Sequence, residues 1–234
     1  ITFLVMELAP FGVFALIAWV SGTQGVATLA NILILAICVY AGCFAHMILV
    51  HGSIVRFLLN LPLMPFIGGA IDPQLVAYST SSSAATLPVT MAASEENHGV
   101  GVPVSSSVLP LGATVNMDGT ALYQGVAAIF IAQVFGIDLS IGAQLGIVLT
   151  ATMASVGAAG VPGAGMVTLA MVLTATGIPT VGVALILGMD RILDMFRTAV
   201  NVTGDLALAT IVSRGESDDA LEDGPDPAPF APAN

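Results

Sequence analysis

The residues best able to do chemistry lie in the last long apolar segment of the chain, residues 181–213. Six polar side chains recur there one to four residues apart: Asp190, Asp194, Arg197, Thr198, Asn201 and Asp205. On an α-helix all six fall on one stripe about 100° wide, and apolar residues cover the rest. The planar guanidinium of Arg197 suits a carboxylate, and Asp194 can accept hydrogen bonds from an ammonium group. Together they could hold both ends of an acidic amino acid.

The same stripe also offers ligands for a cation. Asp205 and Asn201 carry hard oxygen atoms, which suit a small cation better than an organic substrate. A simpler interpretation is that Asp194 and Arg197 pair only to hold helices together, but it leaves Asn201 and Asp205 unexplained.

Three shorter stretches add polar groups at other places. Residues 116–120 (NMDGT) combine Asn, Asp and Thr with a helix-loosening Gly, although a kink with satisfied polar groups is the alternative. Residues 81–83 (SSS) and 160–165 (GVPGAG) predict tips that expose backbone N–H and C=O groups beside helix N-termini. Taken alone, each tip could be an ordinary turn.

The composition requires a membrane. The chain has 234 residues, of which 56% are apolar and 8% are charged, with four Arg and no Lys. An ordinary soluble domain carries about 25% charged residues. Six of the fifteen acids lie in the last twenty residues, so the formal charge of −11 says little about the rest. Nucleic-acid binding, which needs clustered Lys and Arg, is excluded.

The apolar pattern predicts an all-α membrane protein in which spanning helices alternate with re-entrant hairpins. Residues 87–93 would rise only about 10 Å as a helix, which is too little to cross a hydrocarbon layer of about 30 Å. We divide the chain into 1–21 (the end of a scaffold helix), 22–56 (a long helix), 57–100 (a first hairpin), 101–138 (an interrupted helix), 139–180 (a second hairpin), 181–214 (a final helix) and 215–234 (a disordered acidic tail).

The pattern of hairpin followed by helix occurs twice, and paired interrupted segments of this kind indicate the inverted repeat of a secondary transporter. Because the chain opens at Ile1 inside an apolar stretch, we expect it to be the C-terminal part of a longer protein. His46, His51 and His98 lack metal-ligand spacing, and we interpret them as structural. No G-x-S-x-G, H-E-x-x-H or Walker-type loop occurs in the sequence, so an enzyme finds no support.

Four stretches of the chain carry a more specific signal: YSTSSSAATLPVTM, LPLGATVNMDGTALYQG, AAGVPGAG and DRILDMFRTAVNVTGD. In this order they resemble motifs of the dicarboxylate/amino acid:cation symporters, the glutamate/aspartate transporter family, and the similarity covers residues 1–213. The resemblance implies a secondary active symporter that couples uptake of aspartate or glutamate to Na⁺ at the cell membrane. It also implies a multi-pass homotrimer whose transport domains move as elevators, with the second hairpin as the extracellular gate.

The resemblance implies residue roles as well. Nine residues would bind the substrate: Ser81, Ser83, Thr120, Val161, Gly165, Asp194, Arg197, Thr198 and Asn201. Arg197 would take the side-chain carboxylate, Asp194 the amino group and Asn201 the α-carboxylate. Three Na⁺ sites would use, in turn, Asp205 and Asn201 with Gly112 and Asn116; Thr114, Ser155, Val156 and Ala158; and Asn116 with Asp118.

Four positions depart from the family pattern. Ser81 stands where archaeal relatives carry an Arg, and Arg191 adds a charge on the last helix. Ala158 replaces a hydroxyl residue, and Gln124 occupies the position of a proton-carrying Glu in animal glutamate transporters, which argues against their proton coupling. The alternatives are a C4-dicarboxylate as substrate, H⁺ in place of Na⁺, or a truncated product that does not transport.

Overall fold

The computed structural model describes residues 25–215, without the side chains of residues 26–29, and residues 8, 11, 12, 14, 15, 17, 18, 19 and 22 before them. In this part of the chain helices are present and strands are not. The predicted helix over 1–21 lies outside the described residues apart from those single positions. The predicted disordered tail also lies outside them from residue 216 onwards.

Eight α-helices follow one another through the described part of the chain. They are α1 (Val26–His46), α2 (Leu63–Thr80), α3 (Ser83–Glu96), α4 (Val102–Val115), α5 (Asp118–Val134), α6 (Ile141–Ser155), α7 (Ala164–Thr176) and α8 (Val183–Gly215). Two π-helical turns, Met47–His51 and Ile54–Leu58, continue α1, and a 3₁₀ turn, Thr180–Gly182, precedes α8. Among the described residues one helical stretch, Ala30–Leu58, is long and apolar enough to cross a membrane.

Two pairs of short helices each meet at a tip. In the first pair, α2 and α3 have 18 and 14 residues. In the second, α6 and α7 have 15 and 13. At 1.5 Å per residue these helices are about 20 to 27 Å long, less than the hydrocarbon thickness of about 30 Å. The tips touch each other, because the amide of Ala84 donates to the carbonyl of Gly160 over 3.0 Å.

The break between α4 and α5 falls within the predicted polar stretch. Asn116 and Met117 leave helical geometry, with φ/ψ of −93°/72° and −108°/52°. The last helix, α8, has 33 residues and continues unbroken past the polar stripe. The stripe therefore lies on a rigid helix, and the backbone irregularity lies opposite it on α4 and α5.

The main apolar core joins α1, α5, α6, α7 and α8, with Tyr123, Leu169 and Leu193 fully buried inside it. The opposite faces of the second helix pair remain apolar and exposed, as Leu145 on α6 and Val167 on α7 illustrate. A surface with so many exposed large apolar side chains is unusual in a soluble monomer and is suited to contact with lipid.

Candidate functional site

Arg197 is the centre of the site. Its side chain is 1% exposed, its Nε donates to Asp194 Oδ1 and its Nη1 to Asp190 Oδ1, both over 2.9 Å. The guanidinium also lies over the ring of Tyr123, 4.3 Å from the centroid. The remaining nitrogen, Nη2, is buried and finds no hydrogen-bond partner among the described residues.

Two carboxylates therefore pair with Arg197. The reason is that a buried charge must be paired with an opposite charge and hydrogen-bonded. Asp190, Asp194 and Arg197 all lie on α8, so their ion pairs join no two helices. The simpler interpretation of these pairs as helix-to-helix contacts therefore does not describe them.

A narrow cavity beside Arg197 is lined by all nine residues predicted to bind substrate. They come from both tips, α5 and α8: Ser81, Ser83, Thr120, Val161, Gly165, Asp194, Arg197, Thr198 and Asn201. Ala158, predicted as a cation ligand, lines the same cavity. The residues that the family resemblance singled out thus lie together, although they span more than a hundred positions of sequence.

The second tip closes directly over Arg197. The amide of Gly163 donates to Asp194 Oδ2 over 2.9 Å, beside the N-terminus of α7. A Cβ on Gly165 would stand 2.6 Å from Arg197 Nη2, so only glycine allows this approach. The hydroxyl of Ser82 donates a hydrogen bond to the carbonyl oxygen of Gly160 over 2.6 Å. This bond holds the two tips together.

The first tip turns at Ser81, whose φ of 53° lies in the left-handed region. The hydroxyl of Ser81 is buried without a partner among the described residues and lines the narrow cavity. Arg191 on α8 reaches the same tip, where its guanidinium donates to the carbonyls of Thr80 (3.2 Å) and Ser79 (3.0 Å). The added cation therefore caps the C-terminal end of α2, where the helix dipole is negative.

Asn201 connects α8 to the start of α5. Its Oδ1 accepts from the amide of Gly119 over 2.8 Å, and its Nδ2 donates to Thr120 Oγ1 over 3.1 Å. A Cβ on Gly119 would lie 2.5 Å from the carbonyl oxygen of Arg197, so glycine is required for the two helices to come this close. The break at residues 116–117 and this glycine together bring Thr120 to the cavity.

Asp205 lies about one helical turn beyond Asn201 on the polar stripe of α8. Its carboxylate is 3% exposed and accepts from Asn116 Nδ2 over 3.0 Å. A Cβ on Gly112 would lie 2.7 Å from Asp205 Oδ1, so the α4 backbone passes close to the carboxylate. Three of the four ligands predicted for the first cation site, Asp205, Asn116 and Gly112, are thus in contact, while the amide of Asn201 faces Thr120 and Gly119.

The four residues predicted for the second cation site do not all line one cavity, although the amide of Ala158 donates to the carbonyl of Ser155 over 3.0 Å. Ser155 and Val156 line a cavity of about 620 Å³ together with Asn116 and Asp118. Ala158 lines the narrow cavity instead. Thr114 is exposed, and its hydroxyl donates to the carbonyl of Leu111.

The third predicted site contains two histidines that the sequence analysis left aside. Asp118 Oδ2 lies 2.8 Å from His46 Nε2 and 2.6 Å from His51 Nε2. Asn116 lies beside them, since a Cβ on Gly204 would touch Asn116 Nδ2 (2.7 Å), His51 Nε2 (3.1 Å) and Asp118 Oδ2 (3.2 Å).

Comparison with known proteins assigns the chain to a family. The sequence profile of the sodium:dicarboxylate symporter family matches residues 1–215. The chain belongs to the sodium:dicarboxylate symporter family.

Curated members of the family at 43 to 44% identity include transporters from animals. An excitatory amino acid transporter of Caenorhabditis elegans is 44% identical over 220 residues, covering 89% of this chain and 42% of the relative. Human excitatory amino acid transporter 1 is 43% identical over 210 residues (89% and 39%), and mouse excitatory amino acid transporter 4 is 44% identical over 211 (89% and 38%). The chain thus spans about two fifths of the length of these relatives. The family and these members are transporters, not enzymes.

The contacts of four residues in this family member were missed by sequence reasoning. Asp190 was placed on the stripe but given no role, whereas it holds Arg197 Nη1. Nothing in the sequence marked Tyr123, because its position under the guanidinium depends on the packing of two helices. His46 and His51 are five residues apart, which puts them about 140° apart on an α-helix. The π-helical turn between them, with its i→i+5 hydrogen bonds, removes that difference.

Proposed function

We propose that this chain forms the substrate-translocating part of a symporter that couples an acidic amino acid, aspartate or glutamate, to Na⁺. The observation that carries the proposal is the narrow cavity, whose fourteen lining residues include all nine that the resemblance assigns to the substrate. Two buried polar atoms of its lining, Arg197 Nη2 and Ser81 Oγ, have no partner among the described residues. An anionic ligand would give both groups a hydrogen-bond partner. Without such a partner, each buried polar group costs free energy because it has lost its hydrogen bonds to water.

In the proposed binding mode the side-chain carboxylate docks on Arg197 with Thr120 and the backbone of Gly165. Asp194 and Thr198 receive the ammonium group, with help from carbonyls at Ser81 and Val161. Asn201 and the backbone of Ser83 hold the α-carboxylate. Since Gly165 and Gly163 contact Arg197 and Asp194 directly, the second tip has to move away before a ligand can enter.

Sodium coupling rests on the buried carboxylates. Asp205 is 3% exposed and is held by the neutral amide of Asn116, so its charge has no described cation beside it. A buried carboxylate without a counter-charge is strongly unfavourable, and a hard cation such as Na⁺ removes that cost. We propose Na⁺ sites at Asp205 with Gly112, Asn116 and Asn201, at Thr114, Ser155, Val156 and Ala158, and at Asn116 with Asp118.

The proposed movement follows from the short helix pairs. Because α3, α6 and α7, with 13 to 15 residues, are too short to cross the bilayer, we propose that both pairs are re-entrant hairpins of an inverted repeat, with the second as the extracellular gate. The exposed apolar faces would contact lipid or further helices of a longer protein. By the family pattern that protein is a homotrimer in the cell membrane, and its transport domain moves as an elevator.

Uptake by the full-length protein in liposomes tests this function. We expect labelled L-aspartate to accumulate when Na⁺ is higher outside, and to stop accumulating when K⁺ replaces Na⁺ throughout. Accumulation that is unchanged without Na⁺, or that a proton gradient drives alone, would contradict sodium coupling.

A C4-dicarboxylate is the second candidate substrate, and one observation favours it. Asp194 already accepts bonds from Arg197, Thr198 and Gly163, so its charge is satisfied without an ammonium group. Competition in the same liposomes separates the candidates. Inhibition of aspartate uptake by succinate at equal concentration would favour the dicarboxylate, whereas inhibition by glutamate alone would favour the amino acid.

A further inference from the structure

A cluster of two histidines and one aspartate lies at the junction of α1 and α5, where Asp118 follows Met117 of the narrow cavity. His46 Nε2, His51 Nε2 and Asp118 Oδ2 all lie within 4.8 Å of one another. The two imidazole rings meet edge to face, with centroids 4.9 Å apart and planes at 84°. Both rings therefore direct their Nε2 atoms to the same carboxylate oxygen.

The backbone conformation places the two histidine side chains next to each other. His46 ends α1 and His51 ends the π-helical turn Met47–His51, so the i→i+5 geometry brings both side chains to one face. Gly204 on α8 leaves room for the cluster, because a Cβ there would stand 3.1 Å from His51 Nε2 and 3.2 Å from Asp118 Oδ2. π-Helical turns inside α-helices occur frequently at functional sites.

The cluster is open on one side. His51 is 4% exposed, but His46 and Asp118 line the cavity of about 620 Å³. That cavity gives a small ion access to the carboxylate and to one imidazole. It also leaves space for a water molecule as a further ligand.

We propose that His46, His51 and Asp118 form a binding site for a divalent transition-metal ion such as Zn²⁺. Two imidazoles and one carboxylate, with one position left open, are a recognised ligand set for Zn²⁺ and for Fe²⁺. In a tetrahedral site with bonds of about 2.0–2.1 Å, neighbouring donors stand about 3.3 Å apart. The observed separations of 2.8 and 2.6 Å require the two nitrogens to retreat from Asp118 by roughly half an ångström.

The affinity of the proposed site for Zn²⁺ is limited because His51 lacks a hydrogen-bond partner for its second nitrogen within the described part of the chain. Ligating imidazoles usually donate their second N–H to an acceptor, but Nδ1 of His51 is buried without a partner among the described residues. We therefore expect zinc binding to be about 10- to 100-fold weaker than at a site whose ligating imidazoles both have such an acceptor. Because Asp118 is also a proposed Na⁺ ligand, the metal and Na⁺ compete for the same carboxylate.

Direct metal binding to the purified full-length protein tests the site, with Zn²⁺ as the probe and metal analysis after equilibrium dialysis as the readout. We expect one Zn²⁺ per chain, weakened at least about tenfold by His46→Asn and by His51→Asn. Cys38→Ser is the matched control, since Cys38 is an exposed thiol that could bind zinc by itself. The control should bind Zn²⁺ as the unmodified protein does.

A further variant guards against misfolding. His46→Cys replaces one zinc ligand by another, so it should restore binding that His46→Asn has lost. Zinc binding that is unchanged in both Asn variants, or lost in Cys38→Ser, would overturn the proposal. The measurement involves neither uptake nor an amino acid, so its outcome is independent of the proposed symport.

Discussion

At the scale of single residues, the site is governed by the cost of burying charge. Arg197 donates to Asp194 through Nε and to Asp190 through Nη1, and it lies over the ring of Tyr123, while Nη2 has no partner among the described residues. A pre-paired guanidinium of this kind is fixed in place before a ligand arrives. We propose that the one nitrogen unpaired among the described residues, Nη2, is the point at which an incoming carboxylate is recognised.

Arg197→Lys tests that role without removing the charge. Lys lacks the planar set of donors, so the variant should lose one charged hydrogen bond worth about 1.5–3 kcal/mol. We expect L-aspartate binding in the full-length protein to weaken by about 10- to 100-fold, measured by titration calorimetry. Arg56→Lys, at an exposed arginine near Asn60, is the control and should bind normally. Equal affinities in the two variants would remove Arg197 from the proposed site.

Asp205→Asn tests the first sodium site. The change keeps the shape of the side chain and removes the charge that we assign to Na⁺ binding. We expect the Na⁺ concentration needed for half-maximal uptake to rise at least tenfold, since a hydrogen bond to a charged group is worth about 1.5–3 kcal/mol. Asp72→Asn, at an exposed carboxylate on α2, should leave it unchanged. A half-maximal Na⁺ concentration that is unchanged in Asp205→Asn would show that this carboxylate does not bind the coupling ion.

The sequence predicted the stripe because helical periodicity alone places Asp190 to Asp205 on one face. It could not predict which charges pair, since the partners of Arg197 depend on rotamers and on Tyr123 from another helix. His46 and His51 were missed because their spacing of five residues has meaning only inside a π-helical turn.

At the scale of elements, the site is made by interruptions in helices. The tip at Ser81, the break at Asn116 and the tip at Gly163 each bring backbone groups to the same region beside α8. Serine, glycine and asparagine at these points are visible in the sequence, and so the interruptions could be predicted. The contact between the two tips could not, because residues 82 and 160 are connected only by tertiary packing.

Gly165→Ala tests the close approach of the second tip to α8. The added Cβ would lie 2.6 Å from Arg197 Nη2, so the guanidinium or the tip has to shift. We expect L-aspartate affinity to fall at least tenfold, because the displaced atom is the proposed anchor of the substrate carboxylate.

Gly157→Ala is the matched control for this change. Gly157 lies in the same tip segment, and a Cβ there would meet nothing within 4 Å. Calorimetry should find its affinity unaltered. A similar loss in both variants would point to general disruption of the tip instead of a specific contact with Arg197.

At the scale of the whole molecule, the described helices form a polar centre inside an apolar exterior. Arg197, Asp194 and Asp205 are buried near the middle of α8, while large apolar side chains remain exposed on α6 and α7. The low content of charged residues predicted this division, because the chain cannot form a water-facing surface. The chain spans about two fifths of the length of these relatives, and we propose that its exposed faces contact lipid or further helices.

The most direct measurement is the affinity of the purified full-length protein for L-aspartate as a function of Na⁺ concentration. The account predicts that affinity rises steeply with Na⁺, because the ion neutralises Asp205 and Asp118 and so stabilises the closed tips. It also predicts no such rise when K⁺ replaces Na⁺. An affinity for L-aspartate that is independent of Na⁺, or no binding at any Na⁺ concentration, would contradict it.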